Sequence, residues 1–152
     1  MERRQLLALA GISAVAGNSV AWAQRSSDEL KPKLHHIFAT ADGESHHEIV
    51  EISNSTGEIP VTGMTARAYA RNESNTAELH TAPRKQFAIN MTGSLEVEIS
   101  GGSRHGIGQG DLVYLEDITG KGHITRVLSP VTNLFIHVPQ DWDMLSWAQG
   151  SA

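Results

Sequence analysis

From residue 34 onward this chain is cut into short apolar or alternating runs by Gly, Asn, Ser and Pro, and no run carries a convincing 3.6-residue period. The runs fall at 34–38, 47–52, 66–70, 86–91, 94–99, 112–115, 124–128 and 133–138. Each has strand length, and the separators are turn formers. Thr92-Gly93 and Ser100-Gly101-Gly102 read as hairpin-type turns. Many short strands with regular turn signals lead to a sandwich or a closed barrel, because each sheet must bury one face against another. The expected fold class is therefore all-β with little helix. One helical turn is expected within 141–148, with Trp142 and Trp147 packing on the barrel. No repeat or low-complexity segment is visible.

The first residues belong to a different physical class. Met1-Glu2-Arg3-Arg4 is charged, residues 6–20 are apolar and small, and Ala21-Trp22-Ala23 has the A-x-A cleavage pattern. The apolar run is short for a membrane span and is followed by a cleavage site, so residues 1–23 read as a signal peptide. Arg3-Arg4-Gln5-Leu6-Leu7 also resembles a twin-arginine export signal, although Glu2 and Ala8 depart from its usual form. The expected location is the periplasm or the exterior. Residues 24–33 read as a flexible lead-in and 34–145 as the folded domain. The full chain carries a net charge of −5, and losing Glu2, Arg3 and Arg4 makes the remainder one unit more acidic. An acidic domain without a Lys/Arg cluster is a poor nucleic-acid binder. The absence of cysteine removes thiolate, zinc–thiolate and iron–sulfur chemistry.

Period-2 geometry points to one inner face. Residues two apart on a strand share a side, so Gln86, Ala88 and Asn90 face one way and Phe87, Ile89 and Met91 the other. Gln and Asn around a small Ala would line a wet cavity, while the other set packs. Glu78, His80 and Ala82 share a face just before Pro83, which ends a ladder. His137 lies two residues from Phe135 and is ambiguous, whereas His35-His36 and His105 read as surface.

Two motifs within 78–123 resemble those of the cupin superfamily, small β-barrels that usually hold one metal. His80 matches the first His of the first motif, and Gly93 follows Gln86 at the motif's spacing. Gly120-Lys121-Gly122-His123 matches the G-x2-H of the second, and Gly110-Asp111 resembles the turn that leads into it. Ala82 stands at the second His, Gln86 at the Glu, Ile118 at the Pro and Val127 at the final Asn. The resemblance covers about residues 66–138. It implies a cupin-type double-stranded β-helix, a jelly-roll barrel, with a small-molecule pocket.

The resemblance places His80, Gln86 and His123 at the ligand positions. Two readings stay open there: one divalent transition metal (Fe, Mn, Zn, Ni or Cu), or none. Without metal, His80 and His123 become general acid–base groups, with Lys121 presenting a cation to a carboxylate or enolate. Gln86, Asn90, Glu116 and His46 are candidate substrate contacts, and Glu116-Asp117 could orient His123 or Lys121. The expected activity is on a small organic acid or a phenolic or polyketide-like compound, by isomerase, lyase or dioxygenase chemistry. The alternative is a non-catalytic periplasmic ligand-binding or sensing module. The resemblance also implies a homodimer, with residues 34–52 pairing outer strands. Sedimentation of residues 24–152 checks this: a dimer mass is expected, and a monomer mass at every concentration would refute it.

Overall fold

The computed structural model describes residues 32–71 and 78–151. The signal-peptide reading of 1–23, and the lead-in up to residue 31, lie outside the described residues. Among those described, no helix is long and apolar enough to cross a membrane.

Nine strands and one short helix follow in order: β1 Leu34–Ala39, β2 Ser45–Val50, β3 Gly63–Tyr69, β4 Gln86–Thr92, β5 Leu95–Ile99, β6 Arg104–Ile107, β7 Leu112–Leu115, β8 His123–Val127, β9 Val131–His137 and α1 Met144–Ala148. They form a six-stranded sheet, β2-β1-β7-β4-β9-β3, and a three-stranded sheet, β6-β5-β8. All pairs are antiparallel except β1 with β7, where Leu34 sits opposite Leu112. Two twisted sheets packed face to face with almost no helix make the all-β jelly-roll architecture expected from the run pattern.

The central strands of the large sheet, β1, β7 and β4, are buried on both faces. On the inner face, Ile37, Ala88, Val113 and Leu115 meet Leu95, Val97 and Ile107 of the small sheet. On the outer face, Leu34, Phe87 and Tyr114 pack beneath Trp147 and Met144 of α1, with Trp142 against them. The Phe87, Tyr114, Trp142 and Trp147 rings lie 4.9–5.9 Å apart in tilted and edge-on pairs. Trp147 Nε1 donates to the Gly57 carbonyl at 2.7 Å, so its polar edge is not stranded. Asp143 caps α1 by accepting from the Ser146 amide. Truncating an aromatic side chain buried this way costs about 3–5 kcal/mol.

Several local expectations change. β2 begins two residues earlier than the alternation implied, and Met91 is half-exposed instead of packing with Phe87. Thr92-Gly93 is not a hairpin turn: it carries the chain from the large sheet to the small one, since β4 and β5 are not paired. β6 was invisible in the sequence. Its four residues hold Gly106 and only one buried apolar side chain, and it is a strand because it pairs with β5, with Glu98 opposite Arg104. Glu98 there accepts from Arg104 Nε at 2.8 Å and Arg126 Nη1 at 2.6 Å across the small sheet.

His35 and His36 are not on the surface; each is 3% exposed. β1 has neighbours on both sides, so its alternate side chains turn into the two buried faces. His36 lies beside Tyr114, between Glu48 Oε1 and Glu116 Oε2 at 2.8 Å each. His35 Nδ1 is 2.9 Å from His47 Nε2, and His47 stacks on His105 of β6 with centroids 3.6 Å apart. Within this inter-sheet cluster, burial favours the neutral form of His47 and of His35. Burial, with His105 and His35 adding to it, pulls His47 down to about 4. Burial also lowers His35 against the opposing pull of Asp111.

The folded chain therefore holds fewer protons than the unfolded one between about pH 4 and the ordinary histidine value of 6.5. This contribution is complete above 6.5 and is lost as pH falls toward 4. Thermal melts followed by circular dichroism are expected to show Tm falling by about 5 °C or more between pH 7 and pH 5. His47→Gln, which cannot titrate, is expected to flatten that slope. A pH-independent Tm in the wild type over this range would contradict the account.

Candidate functional site

His80 and His123 meet through their backbones. His80 N donates to the His123 carbonyl at 3.0 Å and His123 N to the His80 carbonyl at 2.9 Å, an isolated antiparallel bridge. The close approach depends on Gly122. Its φ of +75° is strained for any side chain, and a Cβ there would collide with the His80 carbonyl. Gly120, at φ +79°, packs as tightly on the Gly43 carbonyl, which accepts from the Lys121 amide at 2.9 Å. The two glycines thus fasten the 120–123 turn to the 78–82 segment on one side and the β1–β2 turn on the other.

The two imidazole rings lie 4.7 Å apart, inclined at 51°. His123 Nδ1 donates to Asp117 Oδ2 at 2.6 Å, and Asp117 is 0% exposed. This carboxylate fixes the tautomer, so the lone pair of His123 sits on Nε2. The Asp117 carbonyl accepts from the Ala82 amide at 3.1 Å, which ties the carboxylate's own segment to that of His80. Burial, then the neighbouring His123, lowers the pKa of His80. His80 Nδ1 lies 3.4 Å from the Glu78 carbonyl.

Both rings border a cavity of about 500 Å³ between the sheets, a size suited to a small molecule. From the large sheet it takes Gln86, Ala88 and Asn90 of β4, together with Asn133, Phe135 and His137 of β9. Edge strand β3 adds Thr65, Arg67 and Tyr69, and the small sheet contributes Leu95, Val97, Ile107 and Thr125. Arg84 also lines it and donates from Nη1 to His137 Nδ1 at 3.2 Å. Because Arg84 can only donate, His137 must accept there and keep its proton on Nε2. Among the described lining residues none is Asp or Glu, while two are Arg. In an acidic chain that contrast favours an anionic ligand.

The structure brings together four of the sequence candidates: His80, Gln86, Asn90 and His123. Three others stand elsewhere. Lys121 is exposed and paired with Glu44, because its flanking glycines turn it toward the β1–β2 loop. Glu116 is on the opposite face of the large sheet, paired with His36 and with Lys85 Nζ at 2.6 Å. His46 is exposed and sits 2.9 Å from Thr40 Oγ1. Arg84 and Lys85 take His137 and Glu116 as partners. Arg67 and Asn133 were missed. The parity of β9 from Phe135 would have found Asn133, but an edge strand of exposed residues gives Arg67 no such signal.

The donor set does not fit the resident metal that the resemblance implies. Ala82 fills the second His position with a methyl group, and Gln86 offers a neutral amide where an anionic carboxylate would offset the cation's charge. Among the described residues, no group of three His, Cys, Asp or Glu side chains comes together as a cation site.

The chain matches no family model and no curated protein. Among solved structures it is similar to the Clostridium difficile EutQ protein, at 15% identity over 71% of this chain and 68% of that one, with a TM-score of 0.31. A likeness of that size carries no chemistry, so the site rests on its own geometry.

Gly122→Ala tests that geometry. The added methyl must push His80 away, and the substitution is expected to cost about 2–3 kcal/mol by combining αL strain with the collision. Denaturant unfolding measures the loss, and the histidine NMR signals of His80 and His123 should both move. A variant with unchanged stability and signals would mean the bridge is not close-packed.

Proposed function

We propose that the exported domain is a small-molecule acid–base enzyme acting on an organic acid, with His123 as the general base. The observation that carries this reading is the buried Asp117–His123 pair beside His80 at a 500 Å³ cavity. Asp117 holds the imidazole in one tautomer and stabilises the imidazolium that forms when Nε2 takes a proton. His80, held neutral by burial, is placed to donate to or accept from the same substrate once it is in the cavity. Arg84, the Nε2–H of His137 and the Gln86 amide supply donors for the substrate's carboxylate. A proton leaves a hydroxyl-bearing carbon next to a carbonyl for His123 while His80 protonates the carbonyl oxygen, giving an enediol; His123 returns its proton to the former carbonyl carbon as His80 recovers one from the other hydroxyl, which completes a 1,2-isomerisation. No step requires a cofactor.

Deuterium wash-in tests the reading without knowledge of the product. C4–C6 2-oxo acids are incubated with the protein in D2O, and the acidic C–H signals are followed by NMR. Wild type is expected to accelerate exchange. His123→Asn should lose about 100-fold or more, and Asp117→Asn should lose activity while still binding. Tight binding with no wash-in for any acid would replace catalysis with ligand capture.

A further inference from the structure

The far end of the cavity makes a demand that acid–base chemistry does not use. Asn90 and Asn133 face each other across β4 and β9, 1% and 6% exposed, and both line the cavity. Asn90 Nδ2 donates to the Gly93 carbonyl at 3.0 Å, which fixes the amide and leaves Oδ1 as the free end. The Oδ1 atoms of both Asn90 and Asn133 are buried without a hydrogen-bond partner. Neither oxygen is satisfied within the fold, and a ligand hydroxyl that reached them would supply the missing donor. Arg67 of β3 is opposite Asn133 in the same row.

The opposite end has the reverse polarity. Gln86 faces His137 across the same two strands, and Arg84 donates to His137. That end offers donors and sits with His80 and His123. Between the two ends lie Ala88 and Phe135, also paired, which are apolar. From Gln86 to Asn90 the strand advances four residues, about 13 Å. A six-carbon chain with one hydrogen bond at each end spans about that length.

We infer that the ligand is a hydroxylated carboxylic acid of about six carbons, its carboxylate held at Arg84–His137–Gln86 and its distal hydroxyls donating to the Asn90 and Asn133 carbonyl oxygens. This rests on the organic-acid reading above and narrows it: a simple fatty acid would leave both asparagine oxygens unpaired. Arg67 is placed to donate to the oxygen of a distal hydroxyl.

Calorimetry and histidine-detected NMR with four probes separate the possibilities. Gluconate and galacturonate are expected to bind at least 10-fold more tightly than hexanoate, and sorbitol, which lacks the carboxylate, to bind at least 10-fold more weakly than gluconate. Asn133→Leu, which leaves the Asn90–Gly93 bond intact, should abolish the preference for gluconate over hexanoate without weakening hexanoate. A parallel Asn90→Ser variant should reduce the preference in the same direction. Hexanoate binding as well as gluconate, with the His123 signal shifting for both, would overturn the hydroxy-acid inference and leave the organic-acid site standing. Sorbitol binding as well as gluconate would overturn the carboxylate half. Failure of all four probes to shift His123 would overturn both readings together.

Discussion

One short hydrogen bond organises the site. Asp117 is buried completely, its Oδ2 lies 2.6 Å from His123 Nδ1, and its Oδ1 has no partner. An ionised carboxylate in that position is tolerable only where a donor meets it, so the imidazole is held in orientation as well as tautomer. The ring then has one free valence, and it is on the cavity side. The backbone enforces the same outcome. Asp117 accepts from Ala82, His80 pairs with His123, and Gly122 allows the separation that the pairing needs. Five positions along three segments therefore fix a pair of imidazoles, and the strands of the large sheet only have to provide the wall opposite.

That wall was legible because strand parity is a strict code. Once 86–91 is a strand with Phe87 packed, Gln86, Ala88 and Asn90 must share the other face, and the structure places all three on the cavity. Most strands were legible too, since alternation and turn residues act locally. β6 was not, because Arg104–Ile107 becomes a strand through pairing with β5 and through charges on its partner. The burial of His35 and His36 was not legible for a related reason. Two adjacent histidines look like surface, but β1 is an inner strand covered on both faces. The partners that make burial possible, Glu48, Glu116, His47 and Asp111, come from positions 12 to 80 residues away.

The Gly-Lys-Gly-His segment shows how a correct feature can be read for the wrong atom. The lysine between two glycines looks like a presented cation. The structure uses the glycines for their positive φ and their lack of Cβ, and the lysine pairs outward with Glu44. Sequence order identifies a tight turn, but not which backbone will press against it. The partner strand of His80 decides that, and it is more than forty residues upstream.

Two pairs of histidines among the described residues differ in ring geometry. His47 and His105 are stacked 3.6 Å apart at 22°. A lone pair lies in the plane of its ring, so two nearly parallel rings cannot aim at one atom between them; each must meet its own partner. Packing is then what these rings contribute, and only in the neutral form, since two imidazolium faces at that distance repel. His80 and His123 are inclined at 51° with centroids 4.7 Å apart, so their planes intersect within reach of a bound molecule. The first pair is half-buried between β2 and β6, while the second borders a cavity with no acidic side chain among its described lining residues. Proton uptake by His47 works against its burial. The same residue type thus packs against its own kind at one position and lines a cavity at the other. The difference is set by the strand neighbours that rotate each ring.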